Sequence, residues 1–269
     1  MTRVLGKTVS APLVYSPNIL EAIPRSINRQ QLDFGGLDQF FGADVWHLYE
    51  LSWLEDKNQP VSFCGVLIIP SDSPATVESK SLKLYLNSLN FHRFEDTQAA
   101  VACITRDLSS LTGATITLEL IQARDLASIT TEPVGDLLDA FGSQCSDRTR
   151  GHQSSVIEVC EERAEKRWVS HLLRSLCPVT GQPDWATIVI DYEGRAFDCE
   201  SLSAYVQSYR EHQEYHEQCV ERIFADLYRA AEPTRLMVTA FYQRRGGIDI
   251  TPWRSMLPIH IPSVRMGRQ

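Results

Sequence analysis

Val77-Glu-Ser-Lys-Ser-Leu-Lys-Leu-Tyr85 and Glu200-Ser-Leu-Ser-Ala-Tyr205 are the two stretches from which the fold is read. In both, a Glu-Ser pair precedes a leucine and a tyrosine: Leu82 and Tyr85 in the first, Leu202 and Tyr205 in the second. The Glu-Ser pairs begin at 78 and at 200, so they stand 122 residues apart. Leu82, Tyr85, Leu86 and Leu89 recur at helical spacing, which predicts a helix over 79–89. Upstream, 45–54 and 61–69 read as strands flanking the turn-like Glu55-Asp-Lys-Asn-Gln-Pro60. Downstream, 98–111 reads as a second helix stopped by Gly113, and the alternation of Ile116, Leu118 and Leu120 predicts a strand over 114–121.

The second half repeats this order. Strands are expected over 167–176 and 185–192, helices over 200–209 and about 217–230, and a strand over 235–243. A shared order of strand, strand, helix, helix, strand points to duplication. The expected class is α+β, with two tandem units that each set an antiparallel sheet against a helix pair on one face. The first forty residues, with Pro12, Pro17, Pro24 and Gly35-Gly36, read as an irregular arm. Residues 131–155, holding Pro133, Gly135, Gly142 and a mostly polar run from Ser143, read as a linker. The units are therefore 1–130 and 156–269.

A chain of 269 residues with 43% hydrophobic and 22% charged residues has ordinary globular composition, which excludes disordered, collagenous and coiled-coil classes. Burying about three-quarters of its unfolded surface, it needs neither disulfides nor a structural metal to fold. Its longest apolar run, Phe63 to Pro70, is too short to span a bilayer, and no signal peptide is read at its start. Against 26 Lys and Arg stand 34 Asp and Glu, a formal charge of −8. That balance repels a phosphate backbone, so no direct nucleic-acid partner and no membrane partner are expected. Seven cysteines without a CxxC pair suit free thiols in a reducing cytoplasm.

Several familiar motifs are missing: no GxGxxG, no complete P-loop around Gly6-Lys7-Thr8, no GxSxG and no paired CxxC. His212, His216 and Cys219 would share a face on one continuous helix, but they lack the Glu of HExxH and are read as lining a pocket without a metal. Cys177 is more telling. It ends an apolar strand and opens the turn Cys177-Pro-Val-Thr-Gly-Gln-Pro-Asp184, so a hairpin can bring a thiol and a carboxyl to one end of a sheet. A thiolate attacks electrophilic carbon, and a neighbouring carboxyl can carry a proton to the atom that gains charge. The bland alternative is a buried cysteine packed beside a turn aspartate.

Together, Val77 to Tyr85, Cys177 to Asp184 and His216-Glu217 resemble the NADPH-dependent 7-cyano-7-deazaguanine reductases of queuosine biosynthesis. Ile23-Pro-Arg-Ser-Ile-Asn-Arg29, Tyr49-Glu-Leu-Ser-Trp53 and Arg244-Arg-Gly-Gly247 are similar to that family too. The likeness runs from about residue 5 to the end and matches the longer, two-module branch. It implies two tandem tunnelling-fold modules, a homodimer, and reduction of a nitrile to a primary amine with two NADPH. It implies Cys177 as nucleophile, forming a thioimide, and Asp184 as proton donor to the nitrile nitrogen. It assigns the base to Glu217 and His216, with further contacts from Val77, Glu78 and Ser79. It places cofactor contacts at Ser79, Lys80, Arg245 and Gly246. The residues themselves do not separate Arg244 from Arg245; the family pattern favours the latter. No metal is implied.

Two other readings remain open in the sequence. One is a zinc-dependent tunnelling-fold cyclohydrolase, which would need metal-binding Cys and His in a set order; the other is a deazapurine-binding protein without catalysis, for which a nucleophile would be superfluous.

Overall fold

Aromatic and β-branched residues recur through Phe41–Leu54 and Pro60–Pro70, and both are strands, β1 and β2. The computed structural model describes residues 11–37, 39–142, 153–259 and 263–269. Within the expected linker, 143–152 lie outside the described residues, as do 1–10 of the arm. Helix α1, Ser79–Asn87, and helix α2, Thr97–Thr112, follow, then strand β3, Thr117–Ile121. Gly113 ends α2 in the left-handed region (φ 74°), a conformation glycine enters without a Cβ clash. In the second half come β4 (Val159–Ser170), β5 (Arg174–Leu176), β6 (Pro183–Phe197), α3 (Cys199–Gln207), α4 (His216–Ala231), β7 (Arg235–Tyr242) and β8 (Ile248–Ser255).

One nine-stranded sheet runs through both halves in the order β3-β2-β1-β8-β7-β6-β4. Asp136–Leu137 adds a two-residue parallel pair to β4, and β5 pairs with the start of β6; the other pairs are antiparallel. Register fixes which side chains share a face: Leu67 faces Trp46, which faces Ile250; Arg254 faces Val238, which faces Ile190. This face carries both helix pairs. Trp46, Leu67 and Ile250 pack with Leu82, Tyr85 and Ile104, while Ile190 and Val238 pack with Tyr205, Ile223 and Phe224.

The two helix pairs reproduce each other's hydrogen bonds, at a spacing of 120 for the first helix. Glu78 caps α1 by accepting from the amides of Lys80 and Ser81; Asp198 caps α3 by accepting from Ser201. Ser81 and Ser201 each donate to the carbonyl of their cap residue, at 2.7 and 2.9 Å. Ser88 and Ser208 donate to the carbonyls of Tyr85 and Tyr205. Tyr85 donates to Asp107 and Tyr205 to Asp226, both at 2.7 Å. The sequence register that matched Glu78-Ser79 with Glu200-Ser201 is therefore two residues out. Asp198, not Glu200, holds the cap, because capping needs a carboxylate oxygen rather than a particular residue.

Two further differences have physical causes. The strand expected over 167–176 is two strands, β4 and β5, and β4 begins much earlier. Asp139 causes the break: it accepts from the Ser170 hydroxyl and the His171 amide, and so pulls the chain off its ladder. β8 escapes sequence reading because Pro252 sits inside it, and proline in a central strand removes a ladder donor. The structure tolerates this by ending the β7 ladder at Thr239 and Trp253, one step short of Pro252. Beyond that point the ladder lapses until Arg245 and Ile248 pair at the turn, and residues of this turn line a cavity.

A chain of largely buried ion pairs joins the two halves. Arg25 meets Asp44 at 2.6 Å, Arg254 meets Asp44 at 2.9 Å and Glu221 at 2.8 Å, and Arg29 meets Glu221 at 2.7 Å. These pairs pin the N-terminal arm, a short helix over Arg25–Arg29, to α4 and to strands of both halves. Burial alone would raise the Glu221 carboxyl, but Arg254, with Arg29 and Arg25, outweighs it and holds the group at about 2. A folded-state value below the unfolded one stabilises the protein above the unfolded pKa, and that contribution is lost as pH falls through the folded value. We expect about 3 kcal/mol to disappear between roughly pH 5 and pH 2. Urea titrations across that range test this. Glu221→Gln should be less stable at neutral pH, with a buried Arg254 left short of a partner, and its acid dependence should be shallower.

Candidate active site

A hairpin carries the two residues singled out for chemistry. The Cys177 amide donates to the Gln182 carbonyl at 2.9 Å, and Ser175 faces Asp184 across the β5–β6 ladder. Cys177 follows β5 directly and continues its pairing opposite Gln182, which puts it on the face of Ser175 and Asp184. Cys177 and Asp184 line a cavity of about 560 Å³. Its walls also include Val77, Ser79 and Lys80 at the start of α1, Tyr215, His216 and Glu217 at the start of α4, and Arg245 and Gly246 in the β7–β8 turn.

Asp184 is 2% exposed. Its carboxylate meets His216 Nε2 at 3.2 Å and accepts from Arg245 Nη1. Burial alone would raise this carboxyl, but His216 and then Arg245 outweigh it, and the group is held below its ordinary value. His216 is fixed in turn by stacking on Tyr242, with ring centroids 4.0 Å apart. A second bond from Arg245, to the Gln182 side chain, ties the turn to the hairpin. The pair left open by sequence now separates: Arg245 lines the cavity, whereas Arg244 pairs with Glu50 and lies 4.2 Å over the Tyr49 ring.

Glu217 is 4% exposed, and burial, then the negative charge of Asp44, pushes its carboxyl up. Thr76 offers it a long hydrogen bond of 3.4 Å, and no guanidinium pairs with it among the described residues. A buried carboxylate so lightly partnered suits a ligand with two adjacent N–H donors. Glu78 differs. It is fully buried, its oxygens are engaged by the Lys80 and Ser81 amides, and it does not line the cavity.

The helix face expected for His212, His216 and Cys219 does not form, because α4 begins at His216 and His212 precedes it. Instead His212, Glu214 and Cys219 bring donor atoms within 4.8 Å of one another. Arg222 already grips Glu214 through Nε and Nη2, the latter at 2.6 Å. The Cys219 thiol is driven well above its ordinary value by burial, then by Glu214. Glu214 is thus already paired with a guanidinium, and the thiol beside it is held protonated.

Sequence reasoning missed Tyr215, Gln182 and Lys83 in the cavity wall. Lys83 was findable, since it lies one helical turn beyond Lys80. The Tyr215 phenol is pushed up to about 12 by burial, with Glu78 and Cys177 adding to it.

Residues 12–120 match a family model described as nitrile reductase, 7-cyano-7-deazaguanine-reductase N-term, and 183–258 match one described as QueF-like protein. A protein of Dechloromonas aromatica named NADPH-dependent 7-cyano-7-deazaguanine reductase is 46% identical over 254 residues, covering 93% of this chain and 89% of its own length. This chain belongs to the 7-cyano-7-deazaguanine reductase family. A Coxiella burnetii protein of the same name is 43% identical over 94% of this chain and 91% of its own, and one from Chromohalobacter salexigens is 42% identical over 98% and 96%. Among solved structures, the apo archaeosine synthase QueF-Like is 21% identical and covers 35% of this chain and 90% of its own, with a TM-score of 0.30. In this family the cavity-lining thiol and carboxylates acquire a substrate class to be judged against. Among the described residues, no helix is long and apolar enough to cross a membrane.

Proposed function

We propose that this chain reduces the nitrile of 7-cyano-7-deazaguanine to a primary amine with NADPH, in queuosine biosynthesis. The single observation that supports the residue assignment best is one cavity lined by a hairpin thiol, an ionised carboxylate on the same face, and a lightly partnered buried Glu217. Glu217 accepts the ring N–H and exocyclic amine of the base, and this aims the nitrile at Cys177. Val77, Ser79 and His216 complete the seat of the base.

Cys177 Sγ then bonds to the nitrile carbon. The π pair of the C≡N bond moves to nitrogen, and the thiol proton passes through Asp184 to that nitrogen, so nothing is oxidised or reduced in this step. An Asp184 held ionised is suited to take the thiol proton first and hand it on second. The product is a thioimide on Cys177. Bound NADPH supplies hydride. The thioimide carbon accepts one, Cys177 leaves as the C–S bond breaks, and the resulting imine accepts a second. Nitrile to amine takes up two hydrides and two protons, so two NADPH are consumed per base. Ser79, Lys80, Arg245 and Gly246 hold the cofactor, and Lys80 and Arg245 supply positive charge toward its phosphates.

The same function goes with tandem tunnelling-fold modules over 1–130 and 156–269 and with a homodimer; the hydrogen bonds repeated at 120-residue spacing support the tandem units. Mixing protein, nitrile base and NADPH and following loss of nicotinamide absorbance tests the activity, with two NADPH oxidised per base as the expected result. A ratio of one, or no oxidation, would contradict it.

Glu217 sets substrate identity. Each hydrogen bond to a charged acceptor is worth roughly 1.5–3 kcal/mol, so Glu217→Ala should weaken binding of the base at least about tenfold. Because the folded-state carboxyl is raised, affinity should fall on acidification sooner than an ordinary glutamate would cause, as the protonated form accepts only one donor well. Titration calorimetry from neutral to mildly acid pH reads both effects, and Glu217→Gln should remove the pH dependence.

A further inference from the structure

Glu214 lies in the wall of the cavity three residues before Glu217, and its surroundings are the reverse of Glu217's. It is 7% exposed, and both of its oxygens are taken. Arg222 Nη2 donates to Oε1 at 2.6 Å, Arg222 Nε reaches Oε2 at 3.0 Å, and His212 Nε2 meets Oε2 at 2.9 Å. Burial alone would raise this carboxyl, but the bonds from His212 and Arg222 outweigh it and hold the group below its ordinary value. We propose that Glu214 is a positioning residue for the covalent step: it holds the strand leading into Cys177 in register with the start of α4, where Glu217 seats the base. The proposal rests on Cys177 as nucleophile and Glu217 as seat, and adds the element that sets one against the other.

The link runs through the backbone. Leu176, the last residue of β5, donates from its amide to the His212 carbonyl at 2.8 Å, and its carbonyl accepts from the Glu214 amide at 3.1 Å. The Cys177 amide is spent on the Gln182 carbonyl, on the β6 side. Residues 212–214 therefore run parallel to β5 on its other edge, bridging Leu176 at Gln213. They form the short connector between a 3₁₀ helix over Ser208–Glu211 and α4.

A single bridge holds such a connector weakly, and the side-chain clamp supplies the rest. Arg222 stands in the second turn of α4, and its planar fork fixes both the distance and the direction of the Glu214 carboxylate. The carboxylate thus ties the connector to α4, and the connector ties the strand leading into Cys177. Attack on a nitrile carbon needs sulfur and carbon aligned at near contact, and a misplacement of about 1 Å can cost about 10²-fold. A clamp serving stability alone would be felt by every property of the folded chain. A positioning clamp is felt by the covalent step.

Two rates separate these roles. Formation of the mass adduct at saturating 7-cyano-7-deazaguanine, without NADPH, reads the alignment of thiol and nitrile. Alkylation of Cys177 by iodoacetamide, followed by peptide mapping, reads the thiol alone. Glu214→Gln keeps the volume and loses the charge, whereas Arg222→Lys keeps the charge and loses the fork, and is the milder change for folding. Both should form the adduct roughly 10–100-fold more slowly than wild type, with alkylation and affinity for the base within about threefold. The double variant should be no slower than the slower single one, because the pair acts as a unit. A wild-type adduct rate in the Arg222→Lys protein, or losses in adduct formation matched by equal losses in alkylation, would overturn the proposal and leave Cys177 standing as nucleophile. A wild-type chain that forms no adduct would overturn the nucleophile instead, and the proposal with it.

Discussion

Cys177→Ala should abolish nitrile reduction, by at least about 10⁴-fold, the scale on which loss of a covalent nucleophile is felt. The cavity places Cys177 on the same hairpin face as Asp184, and none of the other free cysteines among the described residues lines that cavity. Cys103 and Cys219 sit in the helix layers and Cys64 in the sheet, while Cys160 lies exposed on β4. Cys177→Ser should be nearly as damaging, because an alcohol is far less acidic than a thiol and gives up its proton poorly to Asp184. NADPH oxidation in the presence of the nitrile base reads both variants. Retained turnover in the alanine variant would mean that hydride reaches an unactivated nitrile.

Asp184→Asn should lower turnover by roughly 10²–10⁴-fold while the base still binds. Asparagine keeps the volume, and its carbonyl oxygen can still accept from Arg245. What it loses is the ability to receive the thiol proton and pass it to nitrogen. A variant with normal turnover would remove Asp184 from the proton path, whatever its place in the cavity.

Much of the fold is legible locally. The period-2 and period-3.6 patterns mark β1, β2, α1, α2, α3, α4 and β7 to within a few residues, because each buries one face or lies inside the sheet. The failures arise where a specific contact, near or far in sequence, decides what the local pattern does not. Asp139 breaks the strand at Ser170, thirty-one residues on. Pro252 is admitted to a central strand because the ladder beside it simply stops. The repeat was visible as a two-residue identity, yet its true register depends on Asp198 doing for α3 what Glu78 does for α1, and chemistry rather than identity reveals it.

The site divides the same way. Cys177 and Asp184 are joined by a short turn, so their proximity follows from the hairpin. Glu217 was assigned by resemblance, and the structure finds it buried at the start of α4 in the cavity wall. The pairing of Arg245 with Asp184 spans 61 positions and has no local signature, and the contrast between Arg245 and Arg244 emerges only when Glu50 is seen to hold the latter.

Covalent capture of the nitrile by Cys177 is the central claim, and intact-protein mass spectrometry tests it most directly. Incubated with 7-cyano-7-deazaguanine and no NADPH, the wild-type chain should gain one full mass of the base, Asp184→Asn should gain it more slowly, and Cys177→Ala should gain nothing. An unmodified wild-type chain under saturating base, or the same gain on the Cys177→Ala chain, would contradict the account.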